Sequence, residues 1–244
     1  ITKVDLLLTL DNSISMADKQ VLLAEAVPLL VQRLITAGSA VDPVSDVHVG
    51  VITSSLGSHG ASDPKDVCVD QEDDDHAHLL GKLRGLPGTW RDEGFLAWDL
   101  RQEQAPPGDQ DPGLFADKLR QHVRSAGEHG CGYEATLESW YRFLVEPEPP
   151  ASIVVTDGIS APQGVDQELL LQRATFLRPD SLVAIIMLSD ENDCSLRDDG
   201  QAWLASRARP LWRSTSACAK DPNAKCCFGC FAAPPAGCPN PAKD

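Results

Sequence analysis

Two kinds of apolar pattern alternate along the chain. Residues 4–10, VDLLLTL, form a near-continuous apolar run, the mark of a strand covered on both faces. In the next stretch Val21, Leu22, Ala24, Val27, Leu29, Leu30, Leu34 and Ile35 recur at helical spacing. They predict an amphipathic helix that ends near Gly38, carried through Pro28. Residues 47–55, VHVGVITSS, alternate and are rich in β-branched side chains, so a second strand follows. The opening is β-α-β.

Regularity then fades. From Leu56 to about Pro112 the chain is dominated by Gly, Pro, Asp and His. Such a stretch is too long for an ordinary connection and predicts a loop insertion (about 56–112) with short elements over a functional edge. Its aromatic residues Trp90, Phe95 and Trp98 are expected to form a small core beneath that loop. Helical spacing resumes over 112–127 and again from about Glu134. SIVVTDG (152–158) predicts a short strand; between PEPPAS and ISAPQG it suits a hairpin or edge insertion over about 148–165. Residues 166–177 predict a helix with Asp166 at its N-cap. The uniformly apolar LVAIIML at 182–188 predicts a second buried strand, central in the sheet. A last helix is expected over about 199–208. The Cys/Pro/Ala-rich tail, 214–244, cannot build much core and is expected to be stapled or laid over the main body. No internal repeat is evident.

Strands alternating with amphipathic helices imply an α/β domain over residues 1–213, a three-layer, doubly wound, Rossmann-like arrangement with a mostly parallel sheet. Ligands of such sheets gather beyond the carboxyl ends of the strands. Two motifs fall there: DNSIS after the first strand and SDENDCS after LVAIIML.

Charge narrows the partners. With 21 basic and 36 acidic residues the 244-residue chain carries a formal charge of −15, so nucleic acid and anionic membrane faces are repelled, while cations and basic surfaces are attracted. No apolar stretch approaches the roughly 20 residues of a membrane-spanning helix. The sequence begins at Ile1 without a signal peptide, which leads to the expectation of a soluble, processed or trimmed product. Eight cysteines, most of them beyond residue 213, suit disulfides in an oxidising compartment: secreted, cell-surface or periplasmic. A zinc site is the alternative at Cys227-Phe-Gly-Cys230, but it lacks a nearby His or second Cys pair. Eight cysteines allow about 105 pairings, so spacing does not fix connectivity.

Asp11, Ser13 and Ser15 place one carboxylate and two hydroxyls at alternate positions of a strand-end loop. Hard divalent cations such as Mg2+ or Ca2+ take oxygen ligands of this kind, directly or through water. Helix capping by a serine, with Asp11 holding loop amides, is the competing structural role. VDLLLTLDNSISM, the long helix after it and VHVGVITSS together resemble the start of a von Willebrand factor type A (vWA) domain. Later phrases, GCGYEATLESWYRFL and FLRPDSLVAIIMLSDENDCS, are similar to the secreted cysteine-containing A-like domains of myxobacteria and their relatives.

The resemblance implies a metal-ion-dependent adhesion site with Asp11, Ser13 and Ser15 as ligands of Mg2+ or Ca2+, with Mn2+ also accepted. It implies two further ligands. The family threonine has no direct counterpart, because Thr136 is expected inside the next helix, and Glu134 is the oxygen donor nearest that place. The later strand-end Asp is Asp190 or Asp157; the apolar strand before Asp190 favours Asp190. The implied function is an extracytoplasmic, metal-dependent binding module, not an enzyme, whose protein partner presents a carboxylate. Two alternatives stand beside it: a metal-assisted hydrolase, for which no GxSxG, Walker or HExxH motif is present, and a structural surface-assembly domain with a degenerate site. Two further clusters could hold a metal but are expected to be plain surface: Asp190, Glu191, Asp193, Asp198 and Asp199, and the run Asp73, Asp74, Asp75, His76 and His78.

Overall fold

A computed structural model describes residues 2–35, 43–61, 68, 74–200, 202, 216–221, 224–228 and 234–238. Strand β1 (Lys3–Leu10) is followed by helix α1 (Ala17–Ile35), which keeps its course through Pro28, and by strand β2 (Asp46–Thr53). A short helix α2 (Leu80–Leu83), strand β3 (Leu96–Asp99) and helices α3 (Pro112–Arg124) and α4 (Thr136–Leu144) come next. Strands β4 (Ser152–Thr156) and β5 (Ile159–Gln163), helix α5 (Gln167–Phe176), strand β6 (Leu182–Leu188) and a short helix α6 (Ser216–Lys220) complete the described elements. The protein is a mixed α/β structure around a mostly parallel sheet. Its described strand order is β3-β2-β1-β6, with β3 antiparallel to β2.

The apolar runs have a direct physical cause. Alternate residues of a strand point to opposite faces, and both faces of β1 are covered. Leu6, Leu8 and Leu10 pack with Val27 and Val31 of α1 and Phe115 and Leu119 of α3. Leu7 joins Ile52, Phe143 of α4 and Leu169 and Phe176 of α5 in a second cluster. Each such side chain contributes about 1.5–3 kcal/mol when fully buried; two polar residues are also buried in β1, Asp5 and Thr9, of which Asp5 is held by Arg178 and Ser181.

Register places the functional edge. Leu10 lies opposite both Thr53 and Leu188, so β1, β2 and β6 end level. The residues that follow, Asp11, Ser54 and Ser189, therefore emerge side by side.

Two expectations are corrected. Strand β6 is at the edge of the described sheet rather than central: among the described residues it pairs only with β1, and Leu182, Val183, Ile186 and Met187 are exposed. Uniform apolarity reports which side chains a strand carries, not how many strands flank it. The 56–112 stretch contains a true sheet strand, β3, and its aromatics belong to the main core: Trp98 packs with Phe115 in the first cluster, and Phe95 in the second. A four-residue apolar run is too short to separate from loop by periodicity. The acidic residues after β6 are mostly exposed, as expected; Asp198, paired with the buried Arg142, is the exception.

The hairpin is as the sequence suggests. β4 and β5 pair antiparallel around Asp157 and Gly158, whose φ angles of 51° and 76° are those of a two-residue hairpin turn with both central residues left-handed. Asp157 thus sits at a hairpin tip. Disulfides join Cys68 to Cys131, Cys218 to Cys227 and Cys226 to Cys238. The last two staple the tail to itself, and Cys227 is thereby unavailable as a zinc thiolate. Cys194 is a free thiol among the described residues. The helix expected over 199–208 lies almost wholly outside the described residues, as do Cys230 and Asp73. Among the described residues no helix is long and apolar enough to cross a membrane.

Candidate functional site

Asp11 follows β1 directly and is fully buried. Its backbone N–H continues the ladder to the Leu188 carbonyl at 2.9 Å. Its Oδ1 accepts from the Ser13 N–H and its Oδ2 from the Ser189 hydroxyl, each at 2.9 Å. Gln20 of α1 donates to the Asp11 carbonyl at 2.9 Å. The carboxylate is held from both sides and faces the level strand ends.

The serines do not cap the helix. Ser13 stands at the N-cap position of the short 3-10 turn that leads into α1, yet its side chain makes no capping bond. Instead Ser13 Oγ lies 3.0 Å from Ser15 Oγ, and Ser15 Oγ donates to Asp190 Oδ1 at 3.1 Å. Lys19, one turn into α1, closes the rim. Its Nζ is 3.2 Å from Asp190 Oδ2 and 3.0 Å from Asp18 Oδ1, and hydrogen bonds to these two carboxylates raise its pKa. Ile14, between the two serines, is 76% exposed.

Glu134 arrives from the loop before α4. That loop is fixed at several points: Cys131 is bonded to Cys68, and the Ala135 N–H donates to the Ser54 carbonyl at 3.0 Å. Asn12 Oδ1 accepts from Ser55 Oγ at 2.8 Å, and Ser55 Oγ in turn accepts from the Cys131 N–H at 2.9 Å. Gly130 must be glycine here, because a Cβ would stand 2.2 Å from Asn12 Oδ1. Glu134 itself is buried. Burial pushes its carboxyl pKa up, and the charges of Asp11, Glu191 and Asp190 push the same way. Thr136 is the first residue of α4, as expected; its hydroxyl is buried without a hydrogen-bond partner among the described residues.

Sequence reasoning missed Ser189, Lys19 and Asn12. Ser189 had a usable signal, since pairing of two apolar strands that end in Asp11 and Asp190 brings it opposite Asp11. Lys19 had none beyond its place one turn after Ser15. Asp157, the alternative to Asp190, makes no contact with Asp11, Ser13 or Ser15 in the described hydrogen bonds and ion pairs.

The acidic segment after β6 has structural duties. The first N–H groups of a helix need acceptors, and α4 has no side-chain cap of its own. Asp193 Oδ1 accepts from the Leu137 N–H and Ser195 Oγ from the Glu138 N–H, each at 2.9 Å. Asp198 binds Arg142 and, at 2.7 Å, His59; Asp199 pairs with Arg197 at 2.6 Å. In the DDDHAH run, Asp75 bonds Thr53 at 2.5 Å and Arg84 at 2.6 Å, and His78 bonds Asp166 at 2.7 Å. These contacts anchor loops. No group of three or more His, Cys, Asp or Glu side chains among the described residues is arranged to hold a metal ion.

The set at the sheet edge differs in mixing hydroxyls with carboxylates, and it fits a hard divalent cation on two observations. Neighbouring ligands of an octahedral magnesium ion with about 2.1 Å bonds lie about 3 Å apart, and the Ser13–Ser15 and Ser15–Asp190 oxygens are 3.0 and 3.1 Å apart. The charges of Asp11, Asp190 and Glu191 all push the Glu134 carboxyl pKa up, with the Lys19 ammonium at their rim. Such an excess of negative charge favours a cation. No family model matches this chain, and no curated protein or solved structure matches it.

Proposed function

We propose that this protein is an extracytoplasmic binding module of the vWA type, built on a three-layer doubly wound sheet, that uses a divalent cation to hold an acidic group of a protein partner. The observation that carries the reading is the ring of Ser13, Ser15 and Asp190 oxygens over buried Asp11 at the level ends of β1 and β6. Ser13, Ser15 and Asp190 would hold Mg2+ or Ca2+, and Mn2+ in their place. Asp11, whose two oxygens already accept hydrogen bonds, would act through water. Glu134 would complete the set from the α4 side.

A bound ion of this kind supplies a positive centre with room for an added carboxylate. The residues arrange for that. Hydroxyl ligands leave the ion's charge incompletely neutralised, so a partner carboxylate remains attractive. Exposed Ile14 offers that partner an apolar contact beside the charge. Three disulfides support an oxidising compartment. A binding role is preferred to hydrolysis because, among the described residues, the hydroxyls of Ser13, Ser15 and Ser189 bond one another or carboxylates and none bonds a histidine.

Isothermal titration with Mg2+, Ca2+ and Mn2+ tests the reading. Saturable binding by the native protein, lost in Asp11→Ala with circular dichroism unchanged, is expected. Equal cation affinity in Asp11→Ala would refute it.

A further inference from the structure

Beside α4 lies a pocket of about 690 Å3. Its walls are α4, the 146–150 connection, Pro162 of β5 and residues 193–199. The apolar surface comes from the aromatic rings of Trp140 and Tyr141 together with Leu137, Leu196, Pro150 and Pro162. Around them stand six carboxylates, Glu138, Glu146, Glu148, Asp193, Asp198 and Asp199, against one lining cation, Arg197.

Some of these charges are already matched. Arg142, buried beneath the pocket, takes Glu138 and Asp198, and Arg197 takes Asp199. Glu146 pairs with the same Arg142, its Oε2 lying 3.5 Å from Nε. Glu148 has no ion-pair partner among the described residues. The indole Nε1 of Trp140 is buried without an acceptor among the described residues. The pocket therefore combines aromatic faces with a surplus of carboxylates over cations.

We propose that this pocket binds an arginine-bearing peptide segment of a protein partner. A guanidinium is planar: it stacks on Trp and Tyr faces while its N–H fork engages carboxylates. The volume lies within the range of ligand sites and takes a few residues, and a chain of charge −15 steers basic segments toward it. The site stands apart from the cation reading, because none of Asp11, Ser13, Ser15, Glu134 and Asp190 lines it.

The probe is acetyl-Ala-Arg-Ala-Arg-Ala-amide, titrated calorimetrically into the native protein in the presence of EDTA, so that failure of the cation reading leaves the measurement untouched. The isosteric citrulline peptide should bind about tenfold more weakly or not at all. Tyr141→Ala, on an exposed helix face, and Glu148→Gln should each weaken the arginine peptide about threefold or more. No saturable binding at millimolar peptide, equal affinity for the citrulline peptide, or unchanged affinity in the Tyr141→Ala/Glu148→Gln double variant would each overturn the proposal. Equal affinity for free arginine amide would overturn the peptide assignment.

Discussion

Lys19 holds Asp190 from outside, where a cation would hold it from within. Its ammonium is 3.2 Å from Asp190 Oδ2 and also bonds the Ser15 carbonyl at 2.7 Å. A tethered positive charge at the rim repels an incoming ion, so Lys19→Met is expected to tighten Mg2+ and Ca2+ binding by about twofold to tenfold, the range of a partly exposed charge pair. Calorimetric titration of that variant checks it; weaker binding would show that Lys19 positions the site. A second residue sets acid sensitivity. His122 of α3 is buried with both ring nitrogens unpaired among the described residues. Burial, with the Lys118 charge adding to it, holds its pKa down to about 4 from 6.5. The folded protein therefore keeps His122 neutral while the unfolded chain protonates it below 6.5. Stability should be full above that pH and fall toward pH 4, by up to about 3 kcal/mol. Urea unfolding across this window measures the loss, and His122→Leu should flatten it; an unchanged slope in that variant would assign the loss elsewhere. At this scale the sequence was most informative at Asp11, Ser13 and Ser15, where spacing alone brings oxygens together. It was least informative at Ser189 and Lys19, whose roles come from strand register and helix phase.

Helices and paired strands owe their visibility in the sequence to continuous apolar patterns. β1, β2, α1, α3 and α5 stand where periodicity puts them, because each buries a face against the two core clusters. β3 hides in a Gly- and Asp-rich stretch, and the place of β6 at the edge of the described sheet depends on neighbours that no local pattern encodes. The loop that carries Glu134 is an element of another kind, held by a crosslink and by the Asn12–Ser55–Cys131 chain of hydrogen bonds rather than by a core. The Cys68–Cys131 bond spans 63 residues, a loop whose closure restrains the unfolded chain by about 4 kcal/mol. Cys68→Ser/Cys131→Ser should lower the unfolding free energy by about 2–4 kcal/mol and weaken cation binding through a loosened Glu134 loop. Denaturant titration and calorimetry on the double variant check both effects. Unchanged cation affinity would show that Glu134 stands outside the site.

Where β1 and β6 end, Asp11, Glu134, Asp190 and Glu191 lie near one another, and residues 193–199 beyond them line the aromatic pocket. The cation ring and the aromatic pocket share one scaffold, the 191–199 segment stitched to the start of α4 by Asp193 and Ser195. Only the first half of this arrangement was legible in the sequence. DNSIS announces itself, whereas the pocket is assembled from residues 137 to 199 that meet only after α4, the hairpin and the β6 loop have packed. The central claim is that a divalent cation sits over Asp11, and a crystal grown with millimolar Mn2+ tests it most directly through the metal's anomalous scattering. The account predicts one peak within about 2.3 Å of Ser13 Oγ and Ser15 Oγ, with the Asp190 carboxylate turned from Lys19 toward it. Anomalous density elsewhere on the protein, or none at this position with the ring of serines intact, would contradict it.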